Sequence, residues 1–200
     1  MSIADYSPIE YGSYQNLFDS DTIGEVKKRL FAAADSRLKD ELNQADPNGN
    51  FSEIARKVYD EFSVRIPDLN LDSHIGISPQ TFVENHRDMR FGDNRDMDIK
   101  YRVYVYEFDG DWGVFHCKPS NFNLYLVQGL TTESELRVKI EDNKYFEKNL
   151  LGVLCSLKHN YEQAHKTWSS HNKHLQKRIE EKIETRVQLT IILVRARLSL

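Results

Sequence analysis

The feature that most constrains this chain is its C-terminal segment, residues 143–200. The segment contains no proline and only one glycine, Gly152. Its apolar residues recur at three- and four-residue steps, the period of a helix that is buried along one side. The pattern predicts either one very long helix or two helices that meet near residues 169–172. Unbroken, a helix of about 45 residues would extend roughly 68 Å, well beyond the diameter of a domain of this size.

A helix of this length needs something to cover its apolar stripe. Exposed apolar stripes tend to mark partner surfaces, so we expect either that the helix folds back on the body or that a second copy covers it. The sequence favours a homodimer. The residues expected to mediate dimerisation are Leu154, Leu157, Tyr161, Trp168, Leu175, Ile179 and Ile183.

The charge of the chain is divided between its two ends. The 200 residues carry 27 Lys and Arg against 31 Asp and Glu, a net charge of −4. Residues 1–98 hold 11 basic and 19 acidic side chains, whereas residues 143–200 hold 11 basic and 5 acidic ones. The basic helix is therefore expected to pack on acidic helices of its own or a partner subunit. Alternatively, it follows a nucleic-acid backbone through Lys166, Lys173, Lys177, Arg178, Lys182 and Arg186.

The N-terminal third predicts an arm followed by two helices. Residues 1–18 have scattered aromatics without a period, and Asp19, Ser20 and Asp21 offer N-cap oxygens for a helix ending near Gln44. A turn at residues 46–50 precedes a second helix over residues 51–64.

The middle of the chain predicts an antiparallel meander. A short strand over residues 69–77 and a brief helix capped by residues 78–80 are followed by a polar loop at residues 92–96. Asp109 and Gly110 give a strong hairpin signal, because a type I′ turn needs positive φ at both central residues. Alternating apolar residues then predict four strands, which begin near Ile99, Trp112, Phe122 and Leu136.

The fold class expected from these elements is α+β. N-terminal helices pack on the four-stranded meander in a body of residues 1–142, and residues 143–200 form the long helical segment. Two cysteines without metal-ligand spacing, Cys117 and Cys155, and the lack of a signal sequence predict a cytoplasmic protein. The most apolar stretch, residues 189–194, is far shorter than the roughly 18 residues of a membrane span.

Candidate chemistry is sparse. Glu107, Asp109 and Asp111 place three carboxylates around one turn, the oxygen ligands that Mg²⁺ prefers, but a solubilised hairpin tip explains them better. His171 and His174 lie one helical turn apart without a third ligand. The glycines form no phosphate-binding motif. We therefore assign no catalytic residue, metal or cofactor.

Two groups of residues resemble a recurring bacterial architecture. The first is Phe108, Asp109, Gly110 and Asp111 with Phe115, Lys118, Pro119 and Ser120, and the second is Asn172, Leu175, Ile179, Ile183 and Arg186. Residues 99–200 are similar to the N-terminal regions of bacterial proteins that end in a restriction-endonuclease-like domain, a class associated with defence against foreign DNA. The resemblance implies a nuclease domain in cis or in trans, and it supplies no catalytic residue here.

Three functional hypotheses follow. The preferred one is a non-catalytic interaction and dimerisation module, the sensing or positioning part of a nuclease-type antiviral defence system. The first alternative is nucleic-acid binding through the basic helix. The second is a metal-dependent enzyme that uses Glu107, Asp109 and Asp111.

Overall fold

The computed structural model describes residue 3 and residues 13–46, 49–87, 94–123 and 125–198; of residues 85–87, 94–95 and 193–198 it describes the backbone. This part of the chain has an α+β fold with three α-helices and six β-strands. The helices are α1 (Ile23–Gln44), α2 (Phe51–Phe62) and α3 (Phe146–Leu198). The strands are β1 (Gln15–Asn16), β2 (Asp68–Leu69), β3 (Gly76–Arg87), β4 (Asn94–Asp109), β5 (Gln128–Thr131) and β6 (Glu135–Glu141).

The first helix begins with a reciprocal cap. The Thr22 hydroxyl accepts from the Glu25 backbone N–H, and the Glu25 carboxylate accepts from the Thr22 backbone N–H at 3.0 Å. This pair satisfies two of the donors that a helix N-terminus leaves free. The expected N-cap among residues 19–21 is therefore one to three residues too early. The buried residues repeat at helical spacing: Ile23, Val26, Leu30, Ala34, Leu38 and Leu42.

The sheet is antiparallel, with strand order β1-β5-β6-β4-β2 and with β3 paired to β4. Strand β4 is the central strand, because β6 pairs with residues 101–107 and β3 with residues 94–105. One face of the sheet belongs to the core, since side chains alternate between faces along a strand. That face carries Tyr104, Tyr106, Phe108, Leu136, Val138 and Ile140.

The expected helix from residue 78 is wrong, because Pro79 lies within strand β3 opposite Arg102 of β4. Among the described residues, strand β3 pairs with β4 alone. A proline is tolerated on such an edge, where its missing N–H removes no ladder hydrogen bond. Of the expected polar loop, residues 92–93 lie outside the described residues, and residues 94–96 belong to β4.

The expected hairpin return after Gly110 is also wrong. Trp112–Phe115 is a short 3-10 helix whose N-cap, Asp111, accepts from the Gly113 N–H. Gly110 has φ +148°, and a Cβ there would lie 2.5 Å from Pro67 Cα. The chain therefore turns to pack on residues 65–67 instead of pairing with β4. The expected strand from Phe122 is replaced by β5, which starts at Gln128, whereas β6 matches the expected fourth strand.

The long C-terminal helix is continuous. Helix α3 runs for 53 residues without a break near residues 169–172, so the alternative of two helices is wrong. At about 1.5 Å per residue it is roughly 80 Å long. It packs on α1, α2 and β6. In the described part of the chain, no helix is long and apolar enough to cross a bilayer.

Candidate functional site on the C-terminal helix

The apolar stripe of α3 is covered by the chain itself. Leu157, Trp168 and Leu175 are fully buried, and Ile179 is 3% exposed. The other three expected dimerisation residues, Leu154, Tyr161 and Ile183, pack against the same core. The seven residues therefore form intrachain contacts, and they leave no continuous apolar stripe free on this stretch of the helix.

Polar clamps fix α3 in this position. The Asn172 amide donates to Val64 O at 2.8 Å and accepts from Val64 N–H at 2.9 Å, so one side chain satisfies both backbone groups after the end of α2. Asn160 accepts from Asn123 N–H at 2.6 Å. Both clamps join α3 to loops that are distant in sequence, and buried backbone groups need such partners.

Two of the six expected nucleic-acid-binding residues pair with the body. Arg178 and Lys182 both contact the Asp35 carboxylate of α1, with the Lys182 Nζ at 2.8 Å from Asp35 Oδ1. The Arg178 hydrogen bond is the main cause that lowers the pKa of Asp35, and the same bond raises the pKa of Arg178. This pairing is the contact between basic helix and acidic body that the charge division predicts.

The other four expected nucleic-acid-binding residues lie at two separate places on α3. Lys166, Lys173 and Lys177 are exposed and lie on the side of the helix opposite Leu175, as the 100° rotation per residue requires. Lys177 also approaches Glu181 at 3.6 Å. Arg186 lines a groove of about 430 Å³ between α3 and the end of α1, together with Leu42. The fold therefore does not bring all six residues onto one face.

The last part of α3 extends beyond the body. Among the residues whose side chains are described, no core residue follows Ile183, and α1 ends beside Arg186. The helix continues through residues 187–198, here called the tip, for roughly 18 Å. Leu189, Ile191 and Ile192 are 51%, 46% and 61% exposed. Because these three positions are spread around the helix, its surface at residues 189–192 is apolar on more than one side.

The carboxylates proposed for a metal site have separate roles. Asp109 pairs with Arg65, and Asp111 accepts from the backbone N–H groups of Ile3 and Gly113. Glu107 is exposed on β4. No group of three metal-ligating side chains occurs among the described residues. These partners give Asp109 and Asp111 structural roles in the turn after β4.

Two buried histidines are held neutral. His116 Nε2 lies 2.7 Å from the Thr131 hydroxyl, and His171 Nε2 lies 3.4 Å from Phe62 O. Burial lowers the pKa of each to about 4, and neither Nδ1 atom has a partner among the described residues. Burial also raises the pKa of the Cys117 thiol to about 12, so this thiol is unreactive.

The sequence signal for the tip is its apolar run, since residues 189–194 are apolar except for Thr190. Such a run is short for a membrane span, and periodicity alone does not show whether it is buried or exposed. Comparisons with protein-family models, curated proteins and solved structures find no match for the chain.

Proposed function

We propose that the protein is a non-catalytic interaction module that dimerises through the tip of α3. The observation that carries the proposal is the exposure of Leu189, Ile191 and Ile192 on a helix that has left its own core. An exposed apolar surface of this kind marks an interaction site. The seven residues first expected to mediate dimerisation pack within the chain, so the proposal uses the exposed residues of the tip.

The energetics of the tip fit a reversible dimer. Fully burying a Val, Leu or Ile side chain contributes about 1.5–3 kcal/mol, and a side chain that is already half buried contributes about 1 kcal/mol. Four such residues on each of two copies give roughly 8 kcal/mol, against an association cost of about 4–15 kcal/mol. We therefore expect a dimer that depends on concentration. The four residues are Val187, Leu189, Ile191 and Ile192.

The proposed context is a bacterial nuclease-type defence system. In this context the module would be the sensing or positioning part of the system, and a nuclease domain in cis or in trans would be the catalytic part. The support is the resemblance of residues 99–200 to nuclease-associated regions.

Light scattering after size-exclusion chromatography tests the proposal. The double variant Leu189→Glu with Ile192→Glu places charges on the tip without touching the core. The matched control Gln188→Glu adds a carboxylate to the same turn while keeping every apolar side chain. We expect the double variant to be monomeric at concentrations where the wild type and the control dimerise. Equal masses for all three proteins would refute dimerisation through the tip.

Nucleic-acid binding is a second candidate function. It is favoured by Lys166, Lys173 and Lys177, which share the exposed side of α3 over roughly 17 Å. Affinity for duplex DNA should then fall steeply with salt, because binding releases condensed counterions. Retardation that does not depend on salt, or no retardation at low salt, would exclude it.

A further inference from the structure

We infer that α3 binds the phosphate backbone of a nucleic-acid duplex along one exposed side, over the residues from Lys148 to Lys177. The inference rests on the second candidate function above, and it adds the part of the surface nearer the start of α3 and the class of ligand. The surface, here called the lysine stripe, consists of five exposed residues: Lys148, Lys158, Lys166, Lys173 and Lys177. At 1.5 Å per residue the lysine stripe is roughly 44 Å long.

The five lysines lie on one side of α3. With a rotation of 100° per residue, their positions fall within an arc of about 100° around the helix. This arc lies opposite Leu157 and Leu175, which are fully buried in the core. The packing that holds α3 on the body therefore leaves the lysine stripe in solvent.

Most of the positive charge on the lysine stripe is unpaired. Residues 146–177 contain five lysines and two acidic residues, Glu147 and Glu162. Within the part of the chain that the structure describes, Lys177 is the one member of the stripe in an ion pair, at 3.6 Å from Glu181. Four of the five lysines are therefore available to an external anion.

A long, straight line of positive charge fits a rigid polyanion. The backbone of a duplex presents one negative charge per roughly 1.7 Å of its axis, and contacts to that backbone need positive charge without base recognition. An anionic membrane fits less well, because an interfacial helix buries an apolar face. Every exposed residue from Lys158 to Lys177 is instead polar or charged.

A duplex also fits the lysine stripe better than a single strand does. Proteins that bind single strands present aromatic rings on which the bases stack. Both Tyr and Trp residues within this stretch of α3 are occupied by the body. Trp168 is fully buried, and the Tyr161 hydroxyl donates to Pro67 O at 2.7 Å.

The salt dependence of binding to a duplex tests the lysine stripe. Each phosphate contact contributes about −0.9 to the slope of log affinity against log salt concentration. We expect the full-length variant Lys148→Gln with Lys158→Gln to make this slope less steep by about 2, and to lower the affinity at about 0.1 M salt at least tenfold. The control Lys28→Gln with Lys39→Gln removes the same charge from exposed positions on α1 and should leave the slope unchanged. Lys148→Arg with Lys158→Arg keeps the charge and should bind like the wild type.

The Cys155 thiol gives a second readout that does not depend on charge. Cys155 is exposed, whereas Cys117 is buried, and Cys155 lies on the same side of α3 between Lys148 and Lys158. A saturating duplex should slow the reaction of Cys155 with a maleimide several-fold, because the ligand covers the thiol. An unchanged rate in the duplex-bound protein would overturn the proposed position of the ligand.

Failure of the lysine stripe is distinguishable from failure of nucleic-acid binding. If Lys166→Gln with Lys173→Gln makes the slope less steep and Lys148→Gln with Lys158→Gln does not, the inference is refuted while the second candidate function stands. The absence of duplex binding at low salt would refute both.

The same titrations identify the ligand. Duplex DNA and duplex RNA of equal length are compared, because both present this backbone, and preferential binding of either duplex supports the inference. Tighter binding to a single strand of the same length would overturn it. Binding to vesicles of phosphatidylserine and phosphatidylcholine without binding to either duplex would also overturn it.

Discussion

Acidification from pH 7 to pH 5 should destabilise the fold through two buried histidines. Burial lowers the pKa of His116 and His171 from 6.5 to about 4 in the folded chain. The unfolded chain therefore binds more protons than the folded chain between these values, and stability rises with pH in this window. The stability that depends on neutral histidine is present above pH 6.5 and is lost as the pH falls toward 4.

The expected decrease in the free energy of unfolding follows from proton linkage. Each full proton of difference changes the free energy of unfolding by about 1.4 kcal/mol per pH unit. Integrated from pH 7 to pH 5 with these pKa values, each histidine accounts for about 2 kcal/mol, and the pair for about 4 kcal/mol. Asp35 contributes in a different window. Its pKa is lowered from 3.8, so the stability it supplies is lost below that value.

Urea unfolding at a series of pH values measures this dependence. His171→Phe should reduce the pH dependence by about half, because a phenyl ring preserves the packing against Phe31 and Trp168 but binds no proton. His165→Gln is the control, since His165 is exposed on the same helix. An unchanged free energy of unfolding between pH 7 and pH 5 in the wild type would refute the reasoning.

Two further substitutions test the contacts that shape the body. Gly110→Ala should destabilise the protein by about 3 kcal/mol, because a Cβ meets Pro67 and φ is positive. Gly76→Ala is the control, since its Cβ meets nothing within 4 Å. Equal urea midpoints for Gly110→Ala and Gly76→Ala would contradict the predicted strain at Gly110. Asn172→Ala leaves the N–H and C=O of Val64 without their partner and should lower the free energy of unfolding by about 2–3 kcal/mol. A decrease below about 0.5 kcal/mol, the lower end for a single hydrogen bond, would show that water replaces the Asn172 side chain.

The helical part of the fold was predictable because each helix carries its own signal. The apolar spacing in α1 and α2 identifies buried faces without knowledge of the rest of the chain. The sheet was harder. In the sequence, Pro79 is typical of the start of a helix. A strand tolerates this proline because β3 pairs on one side only, with β4, among the described residues. At Gly110 φ is positive, as the expected type I′ turn requires, but φ of Asp109 is not, and the residue against which Gly110 packs, Pro67, is remote in sequence.

The candidate site was also predictable only in part. Periodicity on α3 predicts that Trp168 and Leu175 are buried, and both are. It does not specify which surface buries them, because a stripe that contacts α1 and α2 has the same spacing as one that contacts a second copy. The tip differs from the rest of α3 because Leu189, Ile191 and Ile192 lie beyond the last described core residue and are exposed. Only the position where α1 ends identifies these residues as exposed.

Sedimentation equilibrium of the full chain across a concentration series tests the central claim most directly. We predict a reversible transition from 23.4 kDa at low concentration to twice that mass at high concentration. Leu189→Glu with Ile192→Glu should keep the monomer mass throughout the series. A wild-type mass of 23.4 kDa at every concentration, up to the millimolar range, would contradict self-association through the tip.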